Sequence, residues 1–78
     1  MAVTIEQIRT AIKKACPDKR PESIADDGIL KDLGFDSLDR FNVFLEVEIL
    51  TGISIPDEDI ASLQSIRSIY EYVASKEK

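Results

Sequence analysis

Asp36-Ser37-Leu38-Asp39 follows Gly34-Phe35 directly and opens a stretch, residues 38–51, that contains neither proline nor glycine. Ser37 therefore lies where a loop meets the start of a helix. Unpaired backbone amides and the helix macrodipole favour an anion at such a place, so a phosphodiester on this hydroxyl would sit in a receptive field. Asp36 and Asp39 partly oppose that field. They weaken a site for free phosphate but suit a serine modified by a second enzyme that brings a divalent cation, because carboxylates are natural magnesium ligands. Taken alone, Asp-Ser-Leu is a weak motif, since serine and aspartate at a helix start are more often plain caps.

The chain has no histidine. That removes Ser-His and Cys-His nucleophilic pairs and every histidine-containing zinc site, so Ser37 is a residue to be acted upon. Cys16 is the lone cysteine; it has no partner for a disulfide and no base beside it, and reads as a small apolar residue late in the first helix. Asp57-Glu58-Asp59 lacks the alternating ligands and central glycine of a calcium loop and fits a helix first turn, so no tight metal site is expected.

These residues belong to a chain of 78 residues with 15 acidic and 10 basic side chains, a net charge of −5. The length predicts one domain over residues 1–78 with a small core and modest stability. The charge repels nucleic acid and anionic membranes and favours basic protein partners. Without an apolar run near about 18 residues or a charged and then apolar N-terminal segment, a cytoplasmic location is expected.

Four helices are predicted to position the serine. Thr4 and Gln7 form a capping box, Val3 can staple against Ile8, and Ile5, Ile8 and Ile12 recur at helical spacing until Pro17 ends helix I near Ala15. From Cys16 to Asp36 runs a long connection with turn formers Pro17, Pro21, Asp27-Gly28 and Gly34. Ile24, Ile29, Leu30, Leu33 and Phe35 should pin it, with a short helical turn around Ile29 to Leu33. Helix II begins at Asp36 or Ser37, either of which can cap it, and stops at Gly52. It carries two apolar arcs, Leu38, Phe41, Leu45 and Ile49 on one and Val43, Phe44, Val47 and Leu50 on the other. A helix packed on one side needs a single stripe, so the surplus either completes an enclosed helix or serves an acyl chain or a partner. Phe41, Phe44 and Leu45 can be read either way, with Phe44 the better core residue. Asp57 to Leu63 reads as a short helix III with Ile60 and Leu63 inward; Ser65 caps helix IV, in which Ile66, Ile69, Tyr70 and Val73 face the core before the charged tail Lys76-Glu77-Lys78. The predicted fold is an all-α four-helix bundle with three longer helices, a short helix III and a long loop between helices I and II.

Asp32-Leu33-Gly34-Phe35-Asp36-Ser37-Leu38-Asp39 resembles the attachment motif of the acyl carrier protein family. The resemblance extends to Ile55-Pro56-Asp57-Glu58-Asp59, at the family's spacing from Ser37, and to the closing helix from Ser65-Ile66 through Tyr72-Val73, so it covers essentially the whole chain. It implies that Ser37 accepts 4'-phosphopantetheine from coenzyme A, through a phosphopantetheinyl transferase that uses magnesium, with Asp36 helping to hold the metal. The arm would carry acyl groups as thioesters in fatty acid or related biosynthesis, polyketide or lipid-modifying. The chain is then no enzyme, but a substrate of the transferase and of acyl synthases and acyltransferases. Docking is expected on helix II through Leu38, Asp39, Asn42, Leu45, Glu48 and Ile49. There the chain departs from the pattern. Asn42 and Ile49 stand where acids are common, Arg40 adds a positive charge, and Asp39, Glu46 and Glu48 are the acids that remain, so docking should be more apolar and the carrier should serve a dedicated pathway. A peptidyl or D-alanyl carrier also presents a serine at a helix start, although Phe35-Asp36 looks more like the acyl type. The rival from another class is an assembly module that works without the arm. A monomer is expected, since no long heptad seam is present.

Overall fold

The computed structural model describes residues 3–20 and 23–76. Among them are four α-helices and no strand: α1 (Ile5–Ala15), α2 (Ser37–Thr51), α3 (Asp57–Ile60) and α4 (Ile66–Lys76). Two 3-10 turns, Pro17–Lys19 and Leu30–Leu33, lie in the connection between α1 and α2. No helix among the described residues is long and apolar enough to cross a membrane. Met1 and Ala2, Pro21 among the expected turn formers, and Glu77 and Lys78 of the expected tail lie outside the described residues.

The capping box at the start of α1 forms as its sequence predicts: the Gln7 amide donates to Thr4 Oγ1 at 3.2 Å, and the Thr4 amide to Gln7 Oε1 at 2.9 Å. Three apolar stripes then decide the packing. Ile8, Ala11 and Ile12 of α1 meet Val43, Phe44 and Val47 of α2 and Ile66, Ile69 and Val73 of α4 in one core, which also takes in Val3, Ile24, Leu30, Phe35, Ile55 and Leu63. At the end of α2, Gly52 adopts φ +72, a left-handed stop that a side chain would strain. Ser65 and Ser68 cap α4 reciprocally, the Ser68 amide donating to Ser65 Oγ at 3.1 Å and the Ser65 amide to Ser68 Oγ at 2.9 Å.

Helix III is shorter than its pattern predicts. α3 stops at Ile60, and the chain reaches Leu63 through tighter turns, Ser62 N–H to Asp59 C=O at 3.1 Å and Leu63 N–H to Ile60 C=O at 3.1 Å. No side chain caps it at Pro56, and Leu63 is buried by that turn instead of by a second helical turn. Asp59 accepts a hydrogen bond from the Tyr72 hydroxyl at 2.7 Å, tying α3 to α4. That bond, ahead of desolvation and the carboxylate charge, raises the tyrosine pKa above its usual value.

The long connection is fastened from both sides. From α1, Arg9 donates to the Ile24 carbonyl at 2.6 Å and pairs with Asp26. From the α4 end, the Arg67 amide donates to the Asp26 carbonyl at 2.9 Å, Arg67 Nε to Asp27 at 2.6 Å, and the Gln64 carbonyl accepts from the Leu30 amide at 2.8 Å. Ile24, Leu30 and Phe35 are buried as expected, whereas Ile29 and Leu33 remain exposed. Leu33 lies over Gly28, so close that a Cβ added there would come within 3.2 Å of its Cδ1, and this contact takes the place of a core position.

Asp26 serves both arginines, while Asp27 sits at the exposed rim. Asp26→Ala is expected to cost about 1–2 kcal/mol, and Asp27→Ala less than about 0.5 kcal/mol. Urea unfolding of the two variants checks this; equal losses would remove Asp26 as the fastening point.

Candidate functional site

Ser37 is the first residue of α2, and its side chain is exposed. Of the two residues able to cap this helix, Asp36 does so: the Asp39 amide donates to Asp36 Oδ1 at 2.8 Å, and Asp39 Oδ2 accepts from the Asp36 amide at 3.3 Å. The Ser37 hydroxyl is left without a hydrogen bond to any described residue. An exposed, uncommitted hydroxyl on the first turn of a helix is what a modifying enzyme requires, and its environment supplies amide donors toward an anion attached there.

The loop before the serine is held from below. Phe35 is buried, and its amide donates to the Leu30 carbonyl at 3.1 Å. Gly34, at φ +95, closes the 3-10 turn in a conformation that L side chains rarely adopt. Lys19 completes the support. Its ammonium donates to the Gly34 carbonyl at 3.0 Å, lies 3.8 Å from Asp39 Oδ2 and stands 5.9 Å from the centre of the Phe35 ring. Nothing in the sequence marks this lysine, because it reaches the site through the loop fold and shares no periodic stripe with α2.

Two depressions meet at Ser37. One, of about 450 Å³, is lined by Lys31, Gly34, Phe35, Asp36, Ser37 and Arg40. The other, of about 240 Å³, lies between α2 and α3 and is lined by Ser37, Arg40, Phe41, Asp57, Ile60 and Ala61. Asp36 Oδ2 has no hydrogen bond to a described residue, and no three acidic or sulfur ligands cluster among the described residues. One free carboxylate oxygen suits magnesium, which commonly takes one or two protein carboxylates and completes its shell with water and substrate phosphates.

The two apolar arcs of α2 separate. Val43, Phe44 and Val47 are buried, whereas Leu38, Phe41, Leu45 and Ile49 are exposed, Leu38 at 66% and Ile49 at 76%. Leu50, expected on the arc of Val43, Phe44 and Val47, lies at its edge and is exposed instead. Asp39, Asn42 and Glu48 are half-buried beside the exposed arc. Glu48 has an internal role that its position did not announce: its Oε2 accepts the Ile55 amide at 2.7 Å and fastens the segment leading to α3.

Cys16 lies just behind the site, buried, with its thiol 3.8 Å from the Asp39 carbonyl to which it donates. Burial first, and then the Asp39 charge, push its pKa from 9.0 up to about 11.

Residues 6–73 match the family model described as the phosphopantetheine attachment site. The chain is 40% identical over 58 residues to an acyl carrier protein of Chloroherpeton thalassium, covering 73% of this chain and 72% of that protein. An acyl carrier protein of Treponema denticola is 38% identical over 53 residues, 68% of each chain. The meromycolate extension acyl carrier protein of Mycobacterium leprae is 29% identical over 82 residues, spanning all of this chain and 71% of that one.

A thiol with a pKa of about 11 has roughly a hundredth of the thiolate at pH 8 that a thiol of pKa 9.0 has. Iodoacetamide labelling of native Cys16 at pH 8 is therefore expected to be about a hundredfold slower than in urea. The folded state binds the proton more tightly than the unfolded chain, so this residue's contribution to stability is complete below pH 9 and is lost as pH rises toward 11. Equal native and unfolded labelling rates would contradict this placement of the thiol.

Proposed function

Since this chain belongs to the acyl carrier protein family, we propose that Ser37 is the residue on which it carries 4'-phosphopantetheine, and that its acyl cargo belongs to a dedicated pathway. The protein is a carrier and not an enzyme, and the arm it bears supplies a thiol for thioester formation. The observation that supports Ser37 is the division of labour at the start of α2: Asp36 caps the helix, and the serine hydroxyl stays free. Asp36 also keeps one carboxylate oxygen available, in keeping with a role in holding magnesium while the transferase acts.

Carrier proteins of this family work with synthases and transferases. For this one we assign docking to Leu38, Asp39, Asn42, Leu45, Glu48 and Ile49. From Leu38 to Ile49 the exposed apolar arc runs about 16 Å along α2. Few acids border it, and Glu48 holds the Ile55 amide. Such a face suits a partner with a largely apolar docking surface and a sparse basic rim, unlike one that selects carriers by a dense acidic helix. A monomeric, cytoplasmic carrier domain completes the reading, a net charge of −5 favouring brief encounters over self-association.

Intact mass before and after incubation with coenzyme A, magnesium and a broad-specificity phosphopantetheinyl transferase tests the site. One phosphopantetheine increment is expected, absent in Ser37→Ala, which should fold normally because the hydroxyl makes no bond. Asp36→Asn preserves the cap, asparagine capping as well as aspartate, yet should slow loading about 10–100-fold. No increment on folded, unmodified protein, or full biological activity of Ser37→Ala, would favour the assembly module.

The dedicated-pathway reading predicts that the housekeeping fatty acid synthase turns over the acyl form more slowly than its ordinary carrier. Ile49→Glu should leave stability within about 0.5 kcal/mol, the side chain being exposed, while raising that turnover. Equal rates for the wild-type chain and the ordinary carrier would end this reading.

A further inference from the structure

Arg40 lies three residues after Ser37, so the two side chains are neighbours on one face of α2. It lines both depressions that meet at the serine. Its Nε is buried and has no hydrogen-bond acceptor. No carboxylate among the described residues pairs with its guanidinium, although Asp36 and Asp57 line the same depressions. Of the Asp36 oxygens, Oδ1 is taken by the Asp39 amide at 2.8 Å, and neither accepts from Arg40. A buried donor without an acceptor is uncommon in a folded protein and destabilises it, and a charged one more so.

Among the described residues, two unmet groups therefore stand side by side: a hydroxyl that bonds to none of them and a cation that none of their carboxylates pairs with. Lys31 lines the larger depression as well, giving it a second positive group. An anion joined to Ser37 Oγ would bring acceptor oxygens next to the guanidinium, whose fork of donors suits phosphate geometry better than an ammonium does. We propose that Arg40 is a cofactor-positioning residue: it binds the phosphodiester of the arm on Ser37 and so restricts the direction in which the arm leaves the helix.

This inference rests on Ser37 as the attachment point, and intact mass separates the two, since it reports loading before any readout of Arg40. The test compares unloaded and fully loaded protein by nuclear magnetic resonance. On loading, the Arg40 Nε–H signal should shift and exchange with water at least about tenfold more slowly, as expected for a newly formed charge-assisted hydrogen bond. In loaded Arg40→Gln the phosphorus signal should move and the arm gain mobility, with partial recovery in Arg40→Lys. The wild-type comparison needs no variant, so poor folding of Arg40→Gln leaves the test intact. Loaded protein with an unmoved Arg40 Nε–H signal would overturn the proposal, as would a phosphorus signal indifferent to Arg40→Gln; a failure to load would overturn both it and the assignment of Ser37.

Discussion

The reciprocal cap between Asp36 and Asp39 sets the start of α2, and much of the surrounding structure takes its position from it. Asp39 caps the Asp36 amide with its side chain, faces Lys19 with the same carboxylate and receives the Cys16 thiol on its carbonyl. Moving the helix start by one residue would turn Ser37 into the cap and bind up its hydroxyl. The chemistry available at Ser37 and the local supports around it thus depend on the same pair of carboxylates.

Much of this was legible in the amino-acid order because it rests on local chemistry. The Thr4–Gln7 box, the Gly52 stop, the Ser65 cap and the burial of Phe44 each follow from residues within a turn or two of one another. What escaped was tertiary. Periodicity showed two apolar arcs on α2 but had no means of choosing the inner one, since both satisfy helical spacing. The shortening of α3 reflects the pull of Leu63 into the core, a competition that local propensity does not register. Lys19 and Glu48 act on backbone groups many residues away, and their types alone would place them in solvent.

The two faces of α2 divide burial from exposure. Its inner arc shares a core with α1 and α4, which leaves the outer arc free to vary without cost to the fold. Under the proposed docking role, substitutions there would alter which surfaces the carrier meets, and the few acids along this helix would be a difference of that kind. The attachment region is independent of it, held by Phe35, Gly34 and Lys19 from the loop side.

The fastening of the bundle is uneven. The long connection is clamped by Arg9 and Arg67, whereas α3 is a single turn without a side-chain cap, attached to α4 by the Tyr72–Asp59 bond and by the packing of Ile60 and Leu63. One turn of helix has no cooperative stability of its own. α3 is therefore expected to open at a lower free energy than the capped helices around it. That single turn forms one wall of the depression beside Ser37. If the cargo of an arm on Ser37 were to fold back there, each methylene it sheltered would contribute about 0.8 kcal/mol toward holding that wall open.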